Sequence, residues 1–592
     1  MEDMKAKRIE KILSEIELVR RNEIQKLPAK YIECGYKTDN TLPQVTAEWK
    51  NFDENTIIGG EDNHCWIYFE FKTPKVNNEN EDFLLKLLSG YSGMFKSCRN
   101  PQCIMYINGE LVQGLDLNHD EYILKPETEY KIYLYYYSGM NSEKYNMKIS
   151  LVRADKRIEK LYYDFKVPYD AAMLFGDEDY KHIETIKHLN IAANYIDFTE
   201  PLTERFFDGA ARACEYLEDN YYGKYAPHEA TVDCIGHTHI DVAWLWTYAQ
   251  TKEKAQRSFS IVVELMKRYP EYRFTISQPQ LLEYLKEEAP TVYADIKELV
   301  KQGRIDTEGA MWVEPDCNLP SGESLVRQII WGKKFIKDEF DTDSKILWLP
   351  DVFGLTAALP QIMKGCGIKY FMNAKITWQY NGGDPFPHTN FIWRGIDGSG
   401  ILSHVTQEYA IEMTPSKVFE KWNMNKEKAD VPAHMLPFGH GDGGGGATEI
   451  HLEYLEREKD LEGMPKVICE APNKFFELVE NECEVNKEYT GELYYAAHRG
   501  SYTSQANTKK NNRKCEMALR EAELWSALCG NDANKTELDG LWKKVLFNQF
   551  HDIIPGTAIT KVYEIADKDY EFVLSGAEKL LTDTIGEKPG AD

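Results

Sequence analysis

Between about residue 230 and residue 400, short apolar runs alternate with longer helical patterns, and this alternation constrains the fold more than any other feature of the chain. The runs at 231–236, 273–277 (Arg-Phe-Thr-Ile-Ser), 304–309, 345–349 (Lys-Ile-Leu-Trp-Leu) and 369–373 are short and rich in β-branched and aromatic residues, as strands are. The stretches between them carry the period of a helix, most clearly at 280–302 and 322–340. Consecutive strands joined through helices pair in parallel, so the expectation is a mostly parallel sheet or barrel. Functional side chains then collect beyond the C-terminal ends of the strands.

The flanking regions follow other periods. Residues 1 to about 27 read as an amphipathic helix, with Ile9, Ile12, Leu13, Ile16 and Val19 on one side. From about 30 to 168 the period is two, as in Cys65-Trp66-Ile67-Tyr68-Phe69-Glu70-Phe71 and Lys131-Ile132-Tyr133-Leu134-Tyr135-Tyr136-Tyr137. Asn108-Gly109 between two such runs signals a hairpin turn. Short strands with turns between them indicate a β-sandwich, either a carbohydrate-binding module or a structural domain packed on the rest. Residues 170–225 read as helical, and 511–529, 536–551 and 560–582 as a three-helix unit. The fold expected is therefore multidomain α/β. An N-terminal helix and β-sandwich (1–168) and a helical connector (169–229) precede a barrel-like α/β catalytic domain (230–490) and a C-terminal three-helix bundle (491–592).

Composition excludes some partners. A formal charge of -26 repels phosphate backbones and anionic membranes, and is compatible with a neutral substrate such as a sugar. The 12 cysteines are scattered with no Cys-x-x-Cys pair, which reads as reduced thiols rather than a disulfide framework. Met1-Glu2-Asp3-Met4-Lys5 opens a charged helical pattern without the apolar core of a signal peptide, and no run reaches the ~18 apolar residues of a membrane span. The compartment expected is the cytoplasm.

Four segments carry chemistry. The first strand runs into Gly236-His237-Thr238-His239-Ile240-Asp241, an alternating imidazole and carboxylate set of the kind that gathers around zinc and its neighbours. The strand at 345–349 runs into Pro350-Asp351-Val352-Phe353-Gly354, which places Asp351 at a strand end in the same sheet, although an Asp there would also serve as a helix N-cap. The third segment is Phe438-Gly439-His440-Gly441-Asp442-Gly443-Gly444-Gly445-Gly446-Ala447. A phosphate loop in this register would need Lys where Ala447 stands, so what remains is one carboxylate, Asp442, on a backbone stripped of side chains. In the fourth, Gln549-Phe550-His551-Asp552-Ile553-Ile554-Pro555-Gly556, His551 ends a helical pattern, where a histidine also suits the helix dipole.

Together these segments resemble glycoside hydrolase family 38, the retaining α-mannosidases, over about 170 to 590. H-T-H-I-D-V-A-W resembles the opening metal motif and L-P-D-V-F-G the nucleophile segment. G-D-G-G-G-G resembles the acid/base loop of the branch with cytosolic and many bacterial members, and Q-F-H-D-I-I-P-G-T the closing metal segment. Glu308-Gly309-Ala310-Met311-Trp312-Val313-Glu314-Pro315-Asp316 and His498-Arg499-Gly500-Ser501-Tyr502-Thr503 fit as well. The resemblance implies that His239, Asp241, Asp351 and His551 bind one divalent ion, with zinc expected and cobalt an alternative. It further implies Asp351 as nucleophile, Asp442 as general acid/base, Trp244 stacking under the sugar ring and Asp552 contacting its hydroxyls. His237 matches the motif but is not a family ligand.

A retaining glycosidase needs one ionised and one protonated carboxyl group, so Asp442 is expected to have a raised pKa. The activity implied is exo-hydrolysis of terminal α-mannosides from mannose-containing oligosaccharides. The alternative is a metal-dependent amidohydrolase or phosphoesterase, which would want further histidines after later strands; His388 and His404 are available. A catalytically silent sugar-binding protein is a third reading. Family members continue into β-rich domains, whereas this sequence stops at Asp592, so a fragment with a missing C-terminal part or one part of a split enzyme is expected; a homo-oligomer is the other possible partner.

Overall fold

A computed structural model describes residues 4–37, 39–89, 101–225, 230–378, 385–531 and 534–586, and shows a mixed α/β architecture. Cys98 and the tail beyond Gly586 lie outside the described residues.

The period-two region forms two antiparallel sheets. One orders the strands Asn22–Lys26, Lys144–Asp155, Glu81–Ser89 and Glu121–Leu124, with Ile57–Gly59 pairing beside the second; the other runs Lys50–Phe52, Ala29–Cys34, His64–Lys72, Glu129–Tyr137, Gln102–Ile107 and Glu110–Leu115. Alternate residues of both, such as Phe83, Leu85 and Ile149 from the first and Ile67, Met105 and Leu134 from the second, meet in one core. Asn108 and Gly109 both take positive φ, 51° and 101°, and turn the last hairpin as their sequence requires.

The N-terminal helix is shorter than its pattern suggests. It spans Met4–Arg20, and Asn22–Lys26 is a strand paired with Lys144–Asp155. Its apolar side, Ile9, Ile12, Leu13 and Ile16, packs not on the sheets but in the core that contains Leu161, Phe165, Ile186 and Leu189. Those residues belong to the helices Lys156–Ala172 and Tyr180–Ala193; Asp155 caps the first, accepting from Arg157 N, so this helix runs through the boundary drawn at 168/169. Its aromatic residues follow a helical period inside a region otherwise read as strands.

In the α/β region, Thr231–His237 pairs in parallel with Phe274–Thr275, Ala433–Phe438 and Lys466–Ile468, and Phe274–Thr275 with Ile305–Asp306. Ile346–Trp348, Tyr370–Asn373 and Gly400–Val405 form a second parallel set, extended by Asn390–Arg394 and Glu488–Thr490. The expectation that Asp351 follows a strand in the sheet of Thr231–His237 is therefore corrected: two sheets share the work. Gly309, at φ +121°, turns the chain after Ile305–Asp306, and a single backbone bond, Gly309 N to Ile346 O at 3.1 Å, replaces a continuing ladder. The helical stretch 280–302 is two helices, Pro279–Glu288 and Pro290–Lys301, since Pro290 keeps Ala289 out of the helical region. Gly322–Phe340 is continuous. The C-terminal helices are Ala506–Leu528, Lys535–Asn548 and Thr560–Ile585.

Among the described residues, no helix is long and apolar enough to cross a membrane, and the cysteines are free thiols, several of them buried.

Candidate active site and metal centre

The four segments meet. His239 and Asp241 follow Thr231–His237, Asp351 follows Ile346–Trp348, and His551 follows the Lys535–Asn548 helix. One ligand atom from each of these four residues lies within 4.8 Å of every other, and all four residues are buried. His239 Nε2 stands 2.9 Å from Asp241 Oδ1, while His551 Nε2 is 3.5 Å from the same oxygen and 3.7 Å from Asp351 Oδ2. The two imidazole rings stack with centroids 5.4 Å apart.

Glu314 sets the orientation of both rings. Its carboxylate oxygen Oε2 is 2.9 Å from His239 Nδ1, and its backbone carbonyl accepts from His551 Nδ1 at 2.7 Å. Each Nε2 is thereby turned into the cluster, as metal-bound histidines usually are. Ser277 Oγ donates to the other Glu314 oxygen at 2.6 Å. His551 Nε2 is buried without a hydrogen-bond partner. An orphaned nitrogen facing carboxylates, in a set of two imidazoles and two carboxylates, fits a divalent cation of the zinc type.

The charges around the cluster are divided. Burial would raise Asp351, but Lys375, whose Nζ donates to Oδ1 at 2.6 Å, and the two histidines outweigh it and hold the carboxyl well below its usual range. Burial, with Asp241 and Asp351 adding to it, pushes Asp442 up to about 6 against the opposing pull of His239 and Lys375. Asp442 is half-buried, accepts from the Tyr409 hydroxyl at 3.0 Å, and sits at φ +50° in a loop closed by His440 N to Gly446 O at 2.8 Å. Gly443 N donates to His239 O at 3.0 Å, which ties this loop to the ligand segment. Asp552 faces His551 Nε2 at 3.7 Å and accepts from Thr557 Oγ1; burial first and Asp241 second push it up to about 8.

The remaining candidates separate. Trp244 is half-buried with its ring edge-on to Trp246 at 5.7 Å. His237 lies outside the cluster: its Nδ1 faces Thr275 O at 2.9 Å, Trp348 Nε1 donates to its Nε2 at 3.3 Å, and burial lowers it to about 4. His404 is buried between Asn390 and Met435 O, and His388 pairs with Glu427 at 3.2 Å, so neither joins the metal cluster.

The sequence reading assigned no role to Glu314, Lys375 or Tyr409. Lys375 was within reach, because it stands two residues past Tyr370–Asn373, at the strand end where functional groups collect. Glu314, an acid in an apolar stretch, offered a weaker signal. Tyr409 offered none.

Known proteins match this chain over the same regions. A family model for the glycosyl hydrolases family 38 N-terminal domain matches residues 229–495, and one for the alpha mannosidase middle domain matches 496–587. Alpha-mannosidase G of Dictyostelium discoideum is 31% identical, the alignment covering 100% of this chain and 56% of that protein. Alpha-mannosidase 2C1 of Homo sapiens is 35% identical over 72% of this chain and 41% of its own length, and the alpha-mannosidase of Saccharomyces cerevisiae 34% identical over 70% and 40%. The chain thus spans about half the length of the curated relatives it matches. The crystal structure of an alpha-mannosidase from Enterococcus faecalis V583 shares its fold over 60% of this chain and 42% of that one, with a TM-score of 0.53 and 19% identity.

Proposed function

The chain belongs to glycosyl hydrolase family 38, and on that premise we propose that it acts as a retaining, exo-acting α-mannosidase on mannose-containing oligosaccharides. The observation that carries this reading is the convergence of His239, Asp241, Asp351 and His551, from three strand or helix ends far apart in sequence, within 4.8 Å. These four residues would hold one divalent ion, zinc by the chemistry of the donor set, which when bound would neutralise the carboxylates and orient the sugar's hydroxyls.

In the first step Asp351, kept ionised beside Lys375, attacks the anomeric carbon, and Asp442 gives its proton to the departing glycosidic oxygen. In the second, the Asp442 carboxylate takes a proton from water, which attacks the same carbon and releases Asp351. Trp244 offers a half-buried ring for the sugar to stack on, and Asp552 a carboxyl group for its hydroxyls. The domain reading that suits this assignment keeps the two-sheet unit, the helices, the parallel-strand region and the C-terminal helices as separate layers. The free buried thiols suit a reducing, cytoplasmic setting.

Hydrolysis of an aryl α-mannoside, an aryl phosphate and an acyl amide by the same preparation tests the reaction class. Turnover of the mannoside, with the first-formed sugar α by proton NMR, is expected; a β product or exclusive turnover of either other substrate overturns the reading.

A further inference from the structure

The loop bearing Asp442 contains Gly439, Gly441, Gly443, Gly444, Gly445 and Gly446, and a backbone so free does not hold a side chain in place unaided. Its N–H groups are engaged from within the catalytic region: Gly443 N on His239 O at 3.0 Å, Gly444 N on Gly441 O at 2.8 Å, Gly446 N on His440 O at 3.0 Å. Several of its carbonyls are held from elsewhere. Asn118 Nδ2 donates to Gly444 O at 3.2 Å and His119 Nε2 to Ala447 O at 2.8 Å, both from the turn after Glu110–Leu115 in the two-sheet unit. Gly443 O accepts from the guanidinium of Arg257, on the Tyr248–Arg268 helix, and Arg257 Nε is in turn 3.1 Å from Asp116 Oδ2 in the same turn.

The fit is close. A Cβ on Gly445 would meet His119 Cε1 at 2.6 Å and Asp116 Oδ2 at 3.0 Å, so the imidazole fills the space that a side chain at 445 would need. A Cβ on Gly114 would come within 2.0 Å of Arg257 Cγ, and Gly114 N donates to Ser260 Oγ at 3.0 Å. Asp116 Oδ1 accepts from Asn118 N at 2.8 Å and His119 N at 2.9 Å, which fixes the turn that carries both donors. Gly114, Asp116, Asn118 and His119 all lie before residue 229, outside the stretches that the family models match, whereas Arg257 and the loop lie inside them.

We propose that Asn118 and His119, with Asp116 acting through Arg257, are positioning residues for the general acid, so that the N-terminal two-sheet unit completes the active site by gripping the backbone of the Asp442 loop. The proposal rests on the reading of Asp442 as general acid/base. It assigns the sheets a catalytic support role rather than that of an independent sugar-binding module. Freeing the loop's carbonyls would act chiefly on the proton donor, since the bond from Gly443 N to His239 O stays and Glu314 and Lys375 hold the histidines and Asp351 independently.

The test uses the whole 592-residue chain and aryl α-mannosides whose phenol leaving groups differ widely in acidity. Asn118→Ala and His119→Ala are expected to lose about 10–100-fold in kcat/KM on poor leaving groups, the cost of misplacing a reacting group by about 1 Å. They should lose little on the most acidic phenol, which needs no proton. His119→Gln, which keeps an N–H donor for Ala447 O, should recover part of the loss. Equal losses on all leaving groups, or none, overturn the proposal. Asp442→Asn is measured beside them: if it shows no leaving-group dependence, the acid assignment itself has failed, and if it alone shows it, the assignment stands and the positioning role falls. Should His119→Ala not fold, Asn118→Ala, altered at a half-buried side chain, decides the outcome alone.

Discussion

Asp351 and Asp442 face one site from differently built regions. Asp351 sits on ordinary backbone just past the end of a parallel strand, Ile346–Trp348. Asn373 Nδ2 holds the carbonyls of Leu349 and Val352 at 2.6 and 2.8 Å, and Lys375 holds the carboxylate itself. Each of these partners lies about one strand further along the chain, as neighbours in a parallel sheet do. Asp442 sits on a glycine loop whose backbone is gripped by Asn118 and His119, 326 and 328 residues away. The group proposed to stay ionised is served by a rigid frame and a fixed cation, Lys375. The group proposed to give and take a proton is served by a half-buried perch with less counter-charge, which on our proposal the N-terminal two-sheet unit keeps still.

The largest effect should come from the rigid half. Asp351→Asn is expected to lower kcat by about 10⁴-fold or more, as loss of a catalytic nucleophile does. Intact-mass spectrometry with a slow substrate should find no glycosyl-enzyme, and a covalent adduct on the variant would reassign the nucleophile. On the flexible half, Asp442→Asn should cost about 10²–10⁴-fold on poor leaving groups, with the first step partly rescued by an activated one. Identical losses on both would remove the contrast between the two carboxylates.

Glu314→Gln sharpens the comparison from below. Without the charge beside His239 Nδ1, metal affinity should fall about 10–100-fold, read by competition with a chelator against bound metal content. Unchanged affinity would mean that the ring is oriented by other contacts. The smallest effect is expected for Tyr409→Phe. The hydroxyl donates to Asp442 and so favours its ionised form; removing it should raise the Asp442 pKa further. Since the protonated acid is the active form in the first step, activity falls as pH rises through that pKa, which burial holds above the usual carboxylate range. The alkaline limb of kcat/KM should therefore move to higher pH, and a shift the other way would assign the hydroxyl a different role.

The sequence by itself determined what was local. The alternation of strands and helices and the hairpin at Asn108-Gly109 were legible, because period and turn chemistry are properties of a few adjacent residues. The four residues of the cluster were named only through the family resemblance, since an aspartate at a strand end or a histidine at a helix end has other local uses. Only the tertiary structure decided that the parallel strands divide into two sheets at Gly309, that the first helix packs on later helices rather than on the sheets, and that one glutamate, Glu314, turns both histidines. It alone brought Asn118 and His119 to the glycine loop. These are contacts between segments from tens to hundreds of residues apart, and no local pattern records them, since a side-chain amide or imidazole donates as readily to water as to a distant carbonyl until folding excludes the water.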